Sequence, residues 1–143
     1  MKPDPEHTSY LRALRQWAPV IALAGIILFL ATAQVGHASE LRLTFHDKVD
    51  HFFFYGFLAT LVFRGLSGDA NSMSRWLFTF AVVASFGLLD EILQHFNPGR
   101  QGDPLDWLAD CIGALTGIFA YRCTTVYRQL LEFSPLNWIW HKR

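Results

Sequence analysis

The sequence predicts an all-α fold, a polytopic membrane protein built as a bundle of four transmembrane helices. Of its 143 residues, 52% are hydrophobic and 17% are charged, and the apolar residues are concentrated in four runs. Each run has the length of a helix. Helices and closed barrels are the structures that cross lipid, because every backbone hydrogen bond must be satisfied internally. A chain of this length is expected to form one domain.

The four apolar runs differ in how well they fit a bilayer. The first has no charge over about 20 residues, the length that a bilayer requires. Its "ATA" at 31–33 resembles a signal-peptidase site, but the run is long for a signal peptide. The second is short and charged at both ends, the third is apolar until its last turns, and the fourth contains aspartates. The predicted spans are residues 17–36, 49–66, 76–96 and 105–121.

The basic residues predict how the helices are oriented. With four spans, both termini and the loop after the second helix share one side, which holds nine of the twelve Lys and Arg residues. The other side holds three: Arg42, Lys48 and Arg100. Cytoplasmic loops carry an excess of Lys and Arg. We therefore expect residues 1–16 to form a cytoplasmic segment and residues 122–143 a cytoplasmic or interfacial tail.

Charge and cysteine content argue against several functions. The net charge is zero and the basic residues are scattered, which argues against a nucleic-acid partner. Cys111 and Cys123 are twelve residues apart. That is about 18 Å along one helix, whereas a disulfide needs Cα atoms within about 7 Å. We expect two free, buried thiols, and the sequence assigns no cofactor and no metal.

Polar side chains interrupt the second and third apolar runs in regular patterns. An acid at membrane depth is costly unless it faces protein, water or a partner. The second helix carries a stripe at four-residue spacing: Asp47, His51 and Tyr55. The third carries a polar face at three- and four-residue spacing: Glu91, Gln94 and His95. We expect Asp90 either to lie nearer the headgroups or to cap a local interaction, in a structural rather than a chemical role.

The fourth helix continues this pattern. It presents one face made of two acids and two small residues: Asp106, Asp110, Gly113 and Gly117. The two glycines form a GxxxG, which lets another helix approach closely. Lys48 begins the second helix and Arg100 lies in the loop before the fourth. We predict that three helices bring these groups to one pocket at the outer end of the bundle.

Each feature also has a purely structural interpretation. Asp47 and Lys48 are read equally well as solvated charges at a helix end. An ion pair between Glu91 and Lys48 or Arg100 would serve only to stabilise the helix bundle. Asp106 is favourable at a helix N-terminus because of the helix dipole.

Two blocks of the sequence resemble the VanZ-like family of small bacterial membrane proteins. "DKVDHFFFYGFLA", 47–59, resembles the family's Asp-Lys-x-x-His-Phe-x-x-Tyr block. "LLDEILQHFNPGRQGDPLDWLADCIGALTG", 88–117, resembles its Asp-Glu-x-x-Gln-x-Phe-x-Pro-x-Arg block, followed by Asp and Asn-x-x-Gly. The resemblance covers roughly residues 18–121, and Asp110 stands where the family usually has Asn. It puts eight residues on the family's polar positions: Asp47, Lys48, His51, Tyr55, Glu91, Gln94, Arg100 and Asp106.

The resemblance implies a multi-pass protein of the bacterial cytoplasmic membrane. The family's named member is associated with reduced susceptibility to teicoplanin, a lipoglycopeptide that binds cell-wall precursors. That phenotype does not transfer automatically to every member.

The first functional hypothesis is a binding protein of the cell envelope. Its partners would be membrane lipids, a lipid-linked wall precursor or a lipoglycopeptide. Lys48 and Arg100 would hold phosphate or carboxylate, since Arg suits bidentate recognition. The acids would orient these bases or bind amine and hydroxyl groups. The ligand-binding set is Asp47, Lys48, Tyr55, Gln94, Arg100 and Asp110.

The second hypothesis is an intramembrane enzyme acting on a lipid or its phosphate, with His51, Glu91 and Asp106 as catalytic residues. His51 would be the general acid or base, and Glu91 would set its tautomer. A hydrolytic variant would hold a divalent ion with Glu91, Asp106 and Asp110, and with His51 as a nitrogen ligand. A third hypothesis, a proton- or ion-coupled transporter, is disfavoured because the polar groups cluster at one end of the bundle.

Overall fold

The protein is all-α, as predicted, across the residues that its computed structural model describes: 5–32, 44–66, 69, 72–97 and 102–132. Five helices follow one another in this part of the chain: α1 (Pro5–Thr32), α2 (Thr44–Gly65), α3 (Met73–His95), α4 (Pro104–Cys123) and α5 (Thr125–Glu132). α2 packs against α1, α3 and α4, and its pairing with α4 is the most extensive. The first four helices run up and down, so that the ends of α1 and α3 lie beside the starts of α2 and α4.

Helix boundaries differ from the predicted spans mainly at the amino terminus. α1 begins at Pro5, within the predicted cytoplasmic segment, and proline is well tolerated in a first helical turn because its missing N–H has no partner there. α4 begins at Pro104, as expected from the same preference. The short helix α5 lies within the predicted tail.

Two described helices are long and apolar enough to cross a membrane, over Ala13–Thr32 and Met73–His95. The other two predicted spans fall short on this measure, because α2 and α4 carry the charged residues of the polar stripes. Yet all four helices expose large apolar side chains. Examples are Ile21 on α1, Phe53 on α2, Leu77 on α3 and Phe119 on α4. Extensive exposed apolar surface of this kind is rare on soluble monomers.

The core lies along α2. Its buried side chains include Tyr55, Ala59 and Phe63, which pack with Val83 of α3 and Ile118 of α4. At the end opposite the polar stripes, the guanidinium of Arg75 donates to the carbonyl of Phe63 at 3.1 Å from Nε. The hydroxyl of Tyr127 in α5 donates to Thr60 at 3.3 Å, which ties α5 to the same end.

Glycines bring α2 and α4 into backbone contact. A Cβ on Gly113 or Gly117 would collide with the carbonyl oxygens of Phe52 and Gly56, respectively, and a Cβ on Gly56 would lie 2.9 Å from the carbonyl oxygen of Gly113. The GxxxG of the sequence therefore faces α2. Such close approach is the reason that small residues are favoured where helices pack within membranes.

One prediction about the thiols is wrong. Cys111 and Cys123 are both free, as expected, but only Cys111 is buried and Cys123 is exposed. Cys123 is the last residue of α4.

Candidate functional site

The polar stripes of α2, α3 and α4 meet at one end of the bundle. The ammonium of Lys48 lies 2.6 Å from Oδ2 of Asp103 and 2.7 Å from Oδ1 of Asp106. Asp103 is the N-cap of α4, where its other oxygen accepts from the N–H of Leu105 at 2.9 Å. This bridge fixes the start of α2 against the start of α4.

Lys48 and Asp103 lie outside the predicted spans, and each shifts the pKa of the other. The hydrogen bonds to Asp103 and then Asp106 raise the pKa of Lys48 to about 12. The hydrogen bond from Lys48, with that from the Leu105 amide, holds the pKa of Asp103 below its usual range. Both groups are therefore charged at neutral pH.

Below this bridge, the side chain of His51 meets Asp110. Nδ1 of His51 lies 2.9 Å from Oδ1 of Asp110, within hydrogen-bonding distance, and Asp110 is completely buried. Gly87 of α3 makes room for this carboxylate, because a Cβ at that position would lie 2.6 Å from Oδ2 of Asp110. The carboxylate that orients His51 is thus Asp110, which the sequence had assigned to ligand binding.

Glu91 occupies a different position from the one expected. Its Oε1 is 3.9 Å from Nδ1 of His51, too far for a hydrogen bond. Its Oε2 accepts the backbone N–H of Asp103 at 2.8 Å. Lys48, one of the two partners expected for Glu91, is held by the two aspartates instead.

Tyr55 and Asp90 form a second buried pair. The hydroxyl of Tyr55 donates to Oδ2 of Asp90 at 3.0 Å, and both residues are almost fully buried. The hydrogen bond to Tyr55 holds Asp90 inside the bundle, whereas its depth relative to the headgroups stays a prediction. Asp90 follows Val83 and Gly87 along the buried face of α3, with Gln94 one turn later. This spacing is the signal from which its burial could have been predicted.

A cavity of about 200 Å³ opens between α1, α2 and α3 at this end. Its apolar lining residues are Ile27, Leu30 and Ala31 of α1 and Phe54 of α2. Its polar lining residues come from α2 and α3: Asp47, Asp50, His51, Tyr55, Asp90 and Gln94. A second cavity of about 380 Å³, between α3 and the start of α4, is lined by Glu91 and Trp107 among mostly apolar residues. His51 and Glu91 therefore line different cavities.

Acidic residues outnumber basic ones in the described part of the site. Seven acids belong to it: Asp47, Asp50, Asp90, Glu91, Asp103, Asp106 and Asp110. Among the described residues the neighbouring bases are Lys48 and His51. Since Lys48 already contacts two carboxylates, an anion would have to displace one of them to bind its ammonium.

The predicted site residues are thus largely brought together. Asp47, His51, Tyr55 and Gln94 line the first cavity, while Lys48, Glu91, Asp106 and Asp110 lie in the adjoining network. His95 is exposed and lines the second cavity together with Glu91, whose face it was expected to share. Arg100, the base expected above the pocket, lies outside the described residues.

Sequence reasoning missed a contact that closes the site on the α1 side. The Nδ2 atom of Asn97 donates to the carbonyl of Ala31 at 3.0 Å, and Asn97 is buried. Asn97 lies in the turn after α3. Its partner is 66 residues away, and no local sequence pattern predicts a contact over that separation.

Exposed apolar faces around an internal polar cluster define a helical membrane protein. A family model described as VanZ/LLP1 matches residues 6–128, and the chain belongs to this family. It is also similar to an uncharacterized protein of Schizosaccharomyces pombe, with 36% identity over 89 residues. That match covers 62% of this chain and 54% of the relative, so the chain spans about half the length of the curated relative. No solved structure matches the chain.

Proposed function

We propose that this VanZ/LLP1-family protein crosses the cytoplasmic membrane four times, with both termini in the cytoplasm. The apolar residues Leu108, Ile112, Leu115 and Phe119 support α4 as a span, because they form one exposed stripe. Phe53, Phe54 and Phe57 support α2 in the same way. Asp106 and Asp110 of α4 are buried in the bundle, and Lys48 of α2 binds Asp106 there, as is usual for ionisable residues within membrane segments.

The proposed function is to bind the polar end of an amphipathic envelope molecule at the outer side of the membrane. The observation that carries this proposal is the first cavity, whose lining combines apolar side chains, mostly from α1, with polar side chains from α2 and α3. An acyl or isoprenoid chain would lie against Ile27 and Phe54, and the headgroup against His51 and Gln94. Candidate ligands are a membrane lipid, a lipid-linked wall precursor or a lipoglycopeptide such as teicoplanin.

The charges favour a headgroup that offers hydrogen-bond donors. An ionised carboxylate accepts hydrogen bonds but donates none. Asp47 and Asp50 in the lining of the first cavity therefore suit amine or hydroxyl groups of a ligand. Lys48 and Arg100 as phosphate ligands remain part of the proposal, with the condition that Lys48 must first give up a carboxylate.

Native mass spectrometry of the detergent-purified protein tests this function. We expect it to retain phosphatidylethanolamine, which carries an amine, in preference to phosphatidylglycerol, which does not. Ala31→Phe should fill the cavity and reduce retention at least fivefold. Ile26→Phe adds the same ring at an exposed position of α1 and should leave retention unchanged.

Gln94→Leu gives a second test that leaves the apolar lining residues of the cavity unchanged. It should weaken retention of both lipids, because the headgroup loses a hydrogen-bonding partner. If Ala31→Phe and Gln94→Leu both retain lipid like the parent, the cavity is not the binding site.

A second function, an intramembrane enzyme acting on a lipid, is favoured by one contact. A buried carboxylate beside a histidine fixes the tautomer and orientation of the ring, which prepares the other nitrogen for general acid–base work. Asp110 stands in this relation to His51. Release of phosphate or headgroup from added lipid, abolished in His51→Gln and reduced in Asp110→Asn, would support it.

A further inference from the structure

Three buried side chains from two helices converge beside the first cavity. A ring nitrogen of His51 and one carboxylate oxygen each from Asp90 and Glu91 lie within 4.8 Å of one another. Each of the three residues is more than nine-tenths buried. Two ligands of a tetrahedral ion, each at about 2.1 Å from it, lie roughly 3.4 Å apart. A small inward movement of these side chains would therefore bring them to coordinating distance.

Glu91 is oriented for such a role. The backbone N–H of Asp103 holds its Oε2 at 2.8 Å. Its Oε1 is buried, points toward His51 and accepts no hydrogen bond from the described part of the chain. A buried carboxylate oxygen without a donor is costly, because it has lost its hydration without replacement. A cation at this point would supply the missing partner.

The local charge supports the same conclusion. Glu91 and Asp110 are buried together with one imidazole, so that at most one positive charge among the described residues of this inner cluster faces two carboxylates. Buried charges in membrane helices are normally paired or bound to ions. A divalent cation would balance the excess.

Asp110 would then act on the ion through His51. Histidines that bind metals commonly donate their other ring N–H to a carboxylate, which fixes the ring for coordination. With Nδ1 donating to Asp110, the nitrogen left for the metal is Nε2. Nδ1 is also the atom that lies 3.9 Å from Oε1 of Glu91, so the side chain of Glu91 would have to move toward Nε2 to share the ion.

A competing set of ligands is less suitable. Asp47, His51 and Asp106 also offer atoms within 4.8 Å of one another. Asp106, however, already binds the ammonium of Lys48 at 2.7 Å. A cation there would be repelled by Lys48, whereas Lys48 contacts neither Asp90 nor Glu91 in any described hydrogen bond.

We propose that His51, Asp90 and Glu91 form a site for a divalent transition-metal cation, with Zn²⁺ as the best match. Imidazole together with carboxylates suits Zn²⁺, whereas Mg²⁺ and Ca²⁺ prefer sets made of oxygen alone. Three protein ligands leave a fourth position open. The role of the ion rests on the proposed function. At this fourth position the ion would bind a phosphate or hydroxyl oxygen of the headgroup in the first cavity.

The test is equilibrium dialysis of the full chain, purified in detergent and stripped with a chelator, against ZnCl₂ or MgCl₂ without added lipid. We expect one Zn²⁺ per chain and at least tenfold weaker binding of Mg²⁺. Loss of even an outer partner of a metal ligand commonly costs about 10–100-fold in affinity. Glu91→Gln should therefore weaken Zn²⁺ binding more than tenfold.

His95→Ala is the matched control, because His95 is an exposed histidine on the same helix and lies outside the ligand set. It should leave Zn²⁺ binding unchanged. Should Glu91→Gln fail to fold, as judged by gel filtration, His51→Gln replaces it with the same expectation. The proposal is overturned if the parent binds no stoichiometric Zn²⁺, or if His95→Ala weakens binding as much as the ligand variants do.

The two proposals can fail separately. If the protein retains lipid but does not bind Zn²⁺, the proposed metal site is wrong and the proposed lipid-binding cavity stands. Zn²⁺ binding without lipid retention would remove the proposed function and leave the metal site.

Discussion

Lys48 and Asp106 are 58 positions apart in the sequence, and a 2.7 Å ion pair joins them. The pair connects the first turns of α2 and α4, the two helices with the most extensive contact in the described bundle. The side chain of Asp106 is only 5% exposed, whereas that of Lys48 is 23% exposed. The bridge therefore lies at the boundary between the polar cluster and the surrounding solvent or headgroups.

Lys48→Met should destabilise the bundle, because it leaves Asp103 and Asp106 without their cation. Exposed pairs contribute about 0–1 kcal/mol, and breaking a buried pair costs about 3–5 kcal/mol. For the Lys48–Asp106 pair, whose side chains are 23% and 5% exposed, we expect a value between these two cases, about 1–3 kcal/mol. A double-mutant cycle with Asp106→Asn, followed by unfolding in detergent, measures the coupling. The control, Asp50→Asn, removes an exposed acid, and a coupling energy near zero would show that the bridge is not stabilising.

The same bridge predicts a dependence of stability on pH. The pKa of Asp103 is lowered in the folded state, so its contribution is present above the ordinary value of 3.8 and is lost as pH falls through the folded value. The pKa of Lys48 is raised, so its contribution is complete below 10.5 and is lost as pH rises through about 12. The difference in melting temperature between the parent and Lys48→Met should be constant from about pH 5 to 10 and shrink below pH 4. A difference that grows on acidification would contradict this assignment.

The contact between α2 and α4 predicts a strong effect of a single methyl group. Gly117→Ala would drive a Cβ into the carbonyl oxygen of Gly56, so the helices must separate. Overpacking of this kind costs about 1–3 kcal/mol and occasionally more. Gly25→Ala is the control, since nothing lies within 4 Å of its Cβ position, and alanine favours helix there. Equal melting temperatures for the two variants would argue against the close helix contact.

The four-span topology predicts which loops a membrane-impermeant thiol reagent can reach. Cys123 is exposed and should first be replaced by serine, to remove background labelling. In intact cells, a cysteine at Gln101 should react, whereas one at Ser72 should react only after permeabilisation. Labelling of position 72 from outside would invert or abolish the proposed topology.

Hydropathy predicted where three of the helices begin and end to within a few residues. The limits of α3 and α4 agree closely with the predicted spans, because polar loops and Pro104 mark the ends of their apolar runs. The beginning of α1 was missed, since residues 5–16 are too polar to resemble a membrane span although they are compatible with a helix. The approach of α2 to α4 was only partly predictable, because a GxxxG indicates close packing but does not identify the partner helix.

For the site, helical spacing predicted which residues share a face but not which atoms meet. The stripe of Asp47, His51 and Tyr55 does line one cavity. The partner of His51 depends on how α4 is placed along α2, and the glycine contacts and the space left by Gly87 set that register. Periodicity within one helix carries no information on such offsets. This is why Glu91, rather than Asp110, was predicted to orient the ring.

A high-resolution experimental density map of the protein in its native lipid would test the central claim most directly. The account predicts density for an amphipathic molecule in the first cavity, with its chain along Ile27 and Phe54 and its polar end at His51 and Gln94. A cavity filled by protein side chains, or by water alone with all bound lipid on the outer faces, would contradict it.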